Sequence, residues 1–99
     1  MKFMARWSIR EDKWLPILKQ WSQMTPQQRA DGGEGVKILG RWHDLASRSG
    51  VVILEATDLA AALRYAGQWN PHMDLDLVPV MDDEESAAVA KQIVAANAA

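Results

Sequence analysis

Along this chain the hydrophobic period switches back and forth between that of a strand and that of a helix. The order of the switches constrains the fold more than any single motif. Residues 2–9, KFMARWSI, alternate: Phe3, Ala5, Trp7 and Ile9 point one way, and Lys2, Met4, Arg6 and Ser8 the other. Over residues 11–24 the period lengthens. Trp14, Ile17, Leu18 and Trp21 fall on one helix face, with Glu11 and Asp12 at its positive end. Pro16 fits best in a first turn, so the regular helix is expected to begin near Asp12 or Lys13. TPQQRA reads as a short second helical piece, with Thr25 as cap and Pro26 at the first position. DGGEG is a loop. VKILGRWH then returns to alternation, with Val36, Ile38, Gly40 and Trp42 on one face and Lys37, Leu39, Arg41 and His43 on the other. DLASRSG leads to a third strand, VVILEA. Thr57 or Asp58 caps a helix carrying Leu59, Ala62, Leu63 and Ala66, which ends near Trp69 before Asn70-Pro71. DLDLVPVM is a fourth strand, and Pro79 marks it as an edge. DDEE opens a last, Ala-rich helix.

The resulting order is β-α-β-β-α-β plus a terminal helix, an α+β, ferredoxin-like pattern. Right-handed crossovers place both main helices on one face of a four-stranded sheet of spatial order 4-1-3-2. VVIL lacks alternation, which suits a central strand covered on both faces. Two helices cover only one face. The other would carry Met4, Leu39, Val78, Val80 and part of VVIL, an apolar patch too large to leave in water. The terminal helix offers only Val89, Ile93 and Val94 as large apolar groups. A second copy of the sheet is the better lid. The expectation is a homodimer through the sheet face opposite the helices, forming a dimeric α+β barrel.

At 99 residues the chain is expected to make a single domain, 1–99, with a thin core that a partner subunit would help. A net charge of −2 without a basic cluster argues against a nucleic-acid surface, which needs lysine and arginine to replace counterions. The longest aliphatic run, VVIL, is far too short to span a bilayer, so no membrane role is expected. MKFMARWSIRED does not read as a signal peptide, because Arg6, Glu11 and Asp12 interrupt it, and the expected location is cytoplasmic. The absence of cysteine removes disulfides, thiolate metal sites and a cysteine nucleophile.

MKFM..WSI at the start, ILGRWH in the second strand and VPVMDDEE near the end resemble a small bacterial family known only as a domain of unknown function. That family is placed in the dimeric α+β barrel superfamily. The resemblance spans nearly the whole chain, and Gly40, Arg41, Trp42 and His43 are its most specific part. It implies the fold and dimerisation. It brings no catalytic residues, because no activity is attached to the family. More distant members of the superfamily include cofactor-free monooxygenases, lactone isomerases, haem-handling enzymes and small-ligand sensors, and fold does not fix function.

Strand parity puts Arg6, Arg41, His43, Glu55 and Asp76 on the face away from the helices, provided Phe3 and Trp42 face them. Glu55 would then lie between Arg6 and Arg41, where opposite charges on neighbouring strands attract. These five are the candidate ligand-binding residues, with His43 and Arg41 the candidate catalytic pair: His43 can move a proton near neutral pH, and Arg41 can stabilise an anion. The plainer reading is an ion network of Arg6, Glu55 and Arg41 lining a dimer core. Trp7, Trp14, Trp21 and Trp42 are expected in the helix-side core, each indole N–H needing an acceptor.

Other patterns carry less. His43 and Asp44 face opposite sides of a strand. His72 and Asp74 have chelating spacing but no third ligand, so no metal is expected. DGGEG lacks the lysine of a phosphate loop, and DDEE is a helix start. Nothing places Ser47 or Ser49 with a histidine as a triad would require. No cofactor is expected. Two readings from different classes remain. One is a small dimeric protein that binds a small molecule, or is purely structural, without turnover. The other is a cofactor-free enzyme, monooxygenase- or isomerase-like, acting on a small metabolite in the barrel interior. An enzyme should show a roomy, water-accessible pocket reaching His43, and a structural dimer a filled interior.

Overall fold

The structure, a computed structural model, describes residues 1–98. Strands β1 (Lys2–Ser8), β2 (Val36–Asp44), β3 (Ser49–Ala56) and β4 (Asp74–Val80) form one antiparallel sheet. Helices α1 (Glu11–Ser22) and α2 (Pro26–Ala30) join β1 to β2, α3 (Leu59–Trp69) joins β3 to β4, and α4 (Asp83–Asn97) follows β4. The sheet order is β2-β3-β1-β4, the expected ferredoxin-like order. Pro79 lies on β4, an edge strand paired only with β1, where a missing N–H costs no ladder bond.

Caps set the helix boundaries. Thr25 and Gln28 satisfy each other's backbone donors at the start of α2, and Pro26 occupies its first position. Asp58 accepts from the Ala61 amide to begin α3. Asp82 and Glu85 form the same reciprocal box at α4. Helix α1 departs from expectation: it begins at Glu11, and Pro16 lies inside it. Proline there cannot donate to the Asp12 carbonyl. Pro16 is exposed, on the outer side of the helix, where water can satisfy that carbonyl.

The core is small. Phe3, Ala5, Val52, Leu54 and Ala56 from the sheet are buried against Ala61, Ala62 and Tyr65 of α3. The alanines let α3 sit close to the strands. Helix α1 has no buried residue; its stripe Trp14, Ile17, Leu18 and Trp21 is half-buried. The helix therefore stands over the sheet without closing onto it.

Strand β2 corrects the expected parity. Ile38 pairs with Leu54 and Gly40 with Ile53, so Leu39 is an extra residue without a partner. Each strand alternates strictly, so one inserted residue turns every later side chain to the other face. Before the bulge, Val36 and Ile38 pack on the core as expected. After it, Arg41 lies opposite the buried Val52, and His43 opposite Gly50, beside Trp7. Both are on the helix side. Gly40 and Trp42 are on the open face, and Trp42 is 61% exposed. The expectation that Trp42 joins the core while Arg41 and His43 face away from the helices is thus overturned by the bulge at Leu39.

The open face carries Met4, Val51, Ile53, Val78 and Val80, all half-buried, with exposed Trp42 alongside. Helix α4 does not cover it. None of its residues is buried, and Ile93 and Val94 are exposed. Lys2 binds Asp82 and Glu85 at 3.3 and 2.9 Å and ties down the start of the helix. The radius of gyration is 16.4 Å, against about 13 Å for a compact chain of this length. The longest extent is 57 Å, and α4 by itself is a rod about 22 Å long.

Candidate functional site

A tryptophan-lined cleft opens beneath α1. It lies between the half-buried stripe of α1, the end of α3 and the helix-side face of the sheet, and its cavity volume is about 70 Å³. Four of the five tryptophans line it: Trp7, Trp14, Trp21 and Trp69. Trp7 and Trp21 arrive from β1 and α1. Trp69 is the last residue of α3.

Gly50 explains how Trp7 reaches its place. The Trp7 indole covers the position that a Gly50 side chain would occupy, so only glycine fits there. Gly50 is also the partner of His43 across the β2–β3 ladder, which brings His43 and Trp7 together. Their rings meet edge-to-face with centroids 5.4 Å apart, and the Trp21 ring lies 5.1 Å from His43 on a tilted plane. Such pairs add attraction beyond simple burial. His43 itself stays exposed at the mouth.

Arg41 borders the same cleft. Its guanidinium carbon is 4.9 Å from the centre of the Trp21 ring, within cation–π range. Its Nη1 donates to the Arg29 carbonyl at 2.9 Å. Arg29 approaches the same indole at 6.0 Å and donates to the Met24 carbonyl at 2.9 Å. Desolvation, and then the charge of Arg41, hold the His43 ring below its usual 6.5. At neutral pH His43 is an uncharged ring able to accept a proton or a hydrogen bond.

A second, polar basin adjoins the cleft and shares Gln20, Met24, Arg41 and Trp69 with it. Arg29, Gln28, Gln68 and Asp31 complete its walls.

The five residues expected to form one cluster are therefore split. Arg41 and His43 stay together, but in the helix-side cleft. Arg6 and Asp76 pair on the open face in a two-pronged contact of 3.1 and 3.0 Å. Glu55 sits nearer the far end of that face, opposite Lys2 on β1 and Lys37 on β2, with neither Arg6 nor Arg41 beside it. The bulge separates Glu55 from Arg41, and the register sets Arg6 opposite Val51. His72 lines the cleft, while Asp74 faces the open side opposite Ser8. Among the described residues no three His, Cys, Asp or Glu side chains converge as a metal site would require. No helix among them is long and apolar enough to cross a membrane. Arg29, Gln20 and Gln68 carried no sequence signal. Trp14, Trp21 and Trp69 were visible only as apolar positions on helices, with nothing to mark them as walls of a cleft.

Residues 1–94 match the model of the family described as a domain of unknown function, DUF3303, and the chain belongs to that family. No curated protein and no solved structure matches it.

Proposed function

We propose that this DUF3303 protein binds a small molecule without turnover, in the tryptophan-lined cleft beneath α1. We further propose that two copies close through the open face of the sheet into a dimeric α+β barrel. The binding reading rests on one observation. Trp7, Trp14, Trp21 and Trp69 surround a concave space that they do not fill. Protein interiors pack at the density of organic crystals, so large aromatic groups left half-buried around a gap suit an occupant. A mostly apolar cavity with a few convergent polar groups, here Arg41 and His43, is the usual form of a small-ligand site.

The dimer reading rests on the open face. Met4, Val51, Ile53, Val78, Val80 and exposed Trp42 make a continuous apolar surface, and α4 leaves it bare. A second copy would cover that surface and give α4 something to pack on. Contiguous patches of this kind on soluble chains mark interaction sites.

One experiment separates the two faces. Indole N–H resonances report each tryptophan individually. Titration with a small aromatic fragment such as indole is expected to shift Trp7, Trp14, Trp21 and Trp69 together and to leave Trp42 in place. Shifts confined to Trp42, or none at all, would overturn the cleft as a binding site.

The enzymatic reading, a cofactor-free monooxygenase- or isomerase-like activity, has one feature in its favour. His43 is held neutral beside a cationic Arg41 at the cleft mouth, an arrangement suited to a base with an anion stabiliser. Proton exchange into the carbon acid of a bound ketone or lactone from heavy water, abolished in His43→Gln, would support that reading over binding alone.

A further inference from the structure

The cleft and the adjoining basin differ in chemistry, and together they describe a ligand. The cleft is walled by indoles and by Leu, Ile and Met side chains. The basin is walled by Arg29, Arg41, three glutamine amides and Asp31. The two meet along Gln20, Met24, Arg41 and Trp69, and on the cleft side the Trp21 ring has both guanidiniums within 6.0 Å. We infer that the ligand is an aromatic monocarboxylic acid, with its ring among the indoles and its carboxylate at Arg41 and Arg29. This deepens the binding reading above and rests on it.

Arg6 and Arg10 each hold a carboxylate within 4.0 Å. Among the described residues Arg29 and Arg41 hold none; each gives one N–H to a backbone carbonyl. A guanidinium has five N–H donors, so most of each is left for another acceptor. Those backbone bonds and the indole beneath fix the two groups in place. A fixed planar fork suits a planar carboxylate, which it meets with two parallel bonds.

Asp31 limits the charge. It shares the basin with the arginines, and its Oδ1 already accepts from the Gly33 amide at 2.9 Å. A monoanion gains from two cations set against one carboxylate. A phosphate dianion meets more repulsion from Asp31, so the carboxylate is the better match.

Trp21 has His43 at 5.1 Å and Arg41 at 4.9 Å, so the mouth of the cleft is framed by flat groups at fixed spacing. Flat walls reward a flat occupant through offset or edge-to-face stacking. A flexible aliphatic acid loses more conformational entropy on binding and gains no such contact.

Calorimetry on the full chain tests this with three probes: 2-naphthoate, the neutral 2-naphthalenemethanol and the aliphatic octanoate. One 2-naphthoate per chain is expected, bound about tenfold or more tighter than either of the others, as a charge-assisted pair allows. Arg41→Gln is expected to weaken 2-naphthoate by about tenfold or more, with Arg41→Lys intermediate and Arg64→Gln, on the exposed side of α3, unchanged. Arg29→Gln gives a second reading should Arg41→Gln melt early by circular dichroism. Equal binding of the acid and the alcohol, with the indole shifts present, would overturn the carboxylate assignment and leave the cleft standing. Octanoate binding as tightly as 2-naphthoate would overturn the aromatic part. Tighter binding of 2-naphthyl phosphate would replace the carboxylate by a dianion. Absence of binding by all of these, without indole shifts, would overturn this inference and the cleft together.

Discussion

Gly40 and Trp42 stand two residues apart on the open face of the sheet, and the Trp42 indole occupies the space above Gly40, where an added Cβ would come within 2.5 Å of the ring. The tryptophan thus lies along its own strand, covering neighbouring backbone. Alanine at position 40 must push the ring away. The ring is largely exposed and free to move, so Gly40→Ala is expected to cost about 1 kcal/mol, the low end for overpacking. The Trp42 indole resonance should move at the same time. In a Trp42→Ala background the same glycine change should be nearly neutral, and a double-mutant cycle in urea measures the difference. Equal costs in both backgrounds would show that the ring is elsewhere.

Trp42→Ala also tests the dimer. With 61% of its surface exposed, Trp42 contributes little to the fold of one chain. Its loss should change the stability of a dilute, monomeric sample by under about 1 kcal/mol. In the dimer it would lie at the interface, where tryptophans carry much of the binding energy. Light scattering at micromolar concentration is expected to give near twice the 11.0 kDa chain mass for the parent and a lower mass for Trp42→Glu. A parent that stays monomeric across this range, with its open face bare, would sink the dimer.

Arg6 and Asp76 give a reading of the same face by electrostatics. Their side chains are 57% and 56% exposed in the single chain. An exposed pair of this kind contributes little, because water and salt screen it. If the face closes against a second copy, the pair is dried, and breaking it by removing one partner costs more. The coupling between Arg6→Ala and Asp76→Ala is therefore expected to be small in dilute samples and to grow with concentration. A coupling independent of concentration would place the pair outside the interface.

Much of this fold is legible in the sequence. The alternation of KFMARWSI, the cap at Thr25, the cap at Thr57 or Asp58, the acidic helix start DDEE, and Pro79 on an edge strand are local signals, and locally they are obeyed. In β2 the departure begins at one residue. Alternation in VKILGRWH reads straight through Leu39, because a bulge leaves no periodic trace of its own. The single hint was Gly40, an isolated glycine inside a strand pattern, which is a known sign of a bulge. From that residue onward every side chain changed faces, so Arg41 and His43 moved to the cleft and Trp42 moved out of the core. The Trp14–Trp21 stripe told which face of α1 is apolar. It could not tell that the helix stops short of the sheet, because that depends on the sizes of the groups beneath it. An Arg41–Glu55 double-mutant cycle, which the simple alternation would have coupled, is now expected to give no coupling, since the two side chains lie on opposite faces.

His43 offers a test by pH. Desolvation and the Arg41 charge lower its pKa from 6.5, so between that lowered value and 6.5 the unfolded chain binds a proton that the folded chain resists. Stability rises with pH wherever the unfolded state holds more protons. The contribution of this site is therefore complete above 6.5, falls as pH drops through the window, and levels off below the folded value. Urea midpoints measured from about pH 8 down to about pH 5 span the range in which histidine normally titrates. They should decline through the window in the parent and decline less in His43→Gln. The ring proton shifts of His43 follow the same event directly, and their absence in His43→Gln assigns them. Arg41→Gln removes the second cause, so the His43 pKa should rise in that variant. Saturation with 2-naphthoate, which sets a negative charge beside the ring, should raise it as well. A His43 titration indifferent to both changes would mean that neither Arg41 nor a bound carboxylate is felt at the mouth of the cleft.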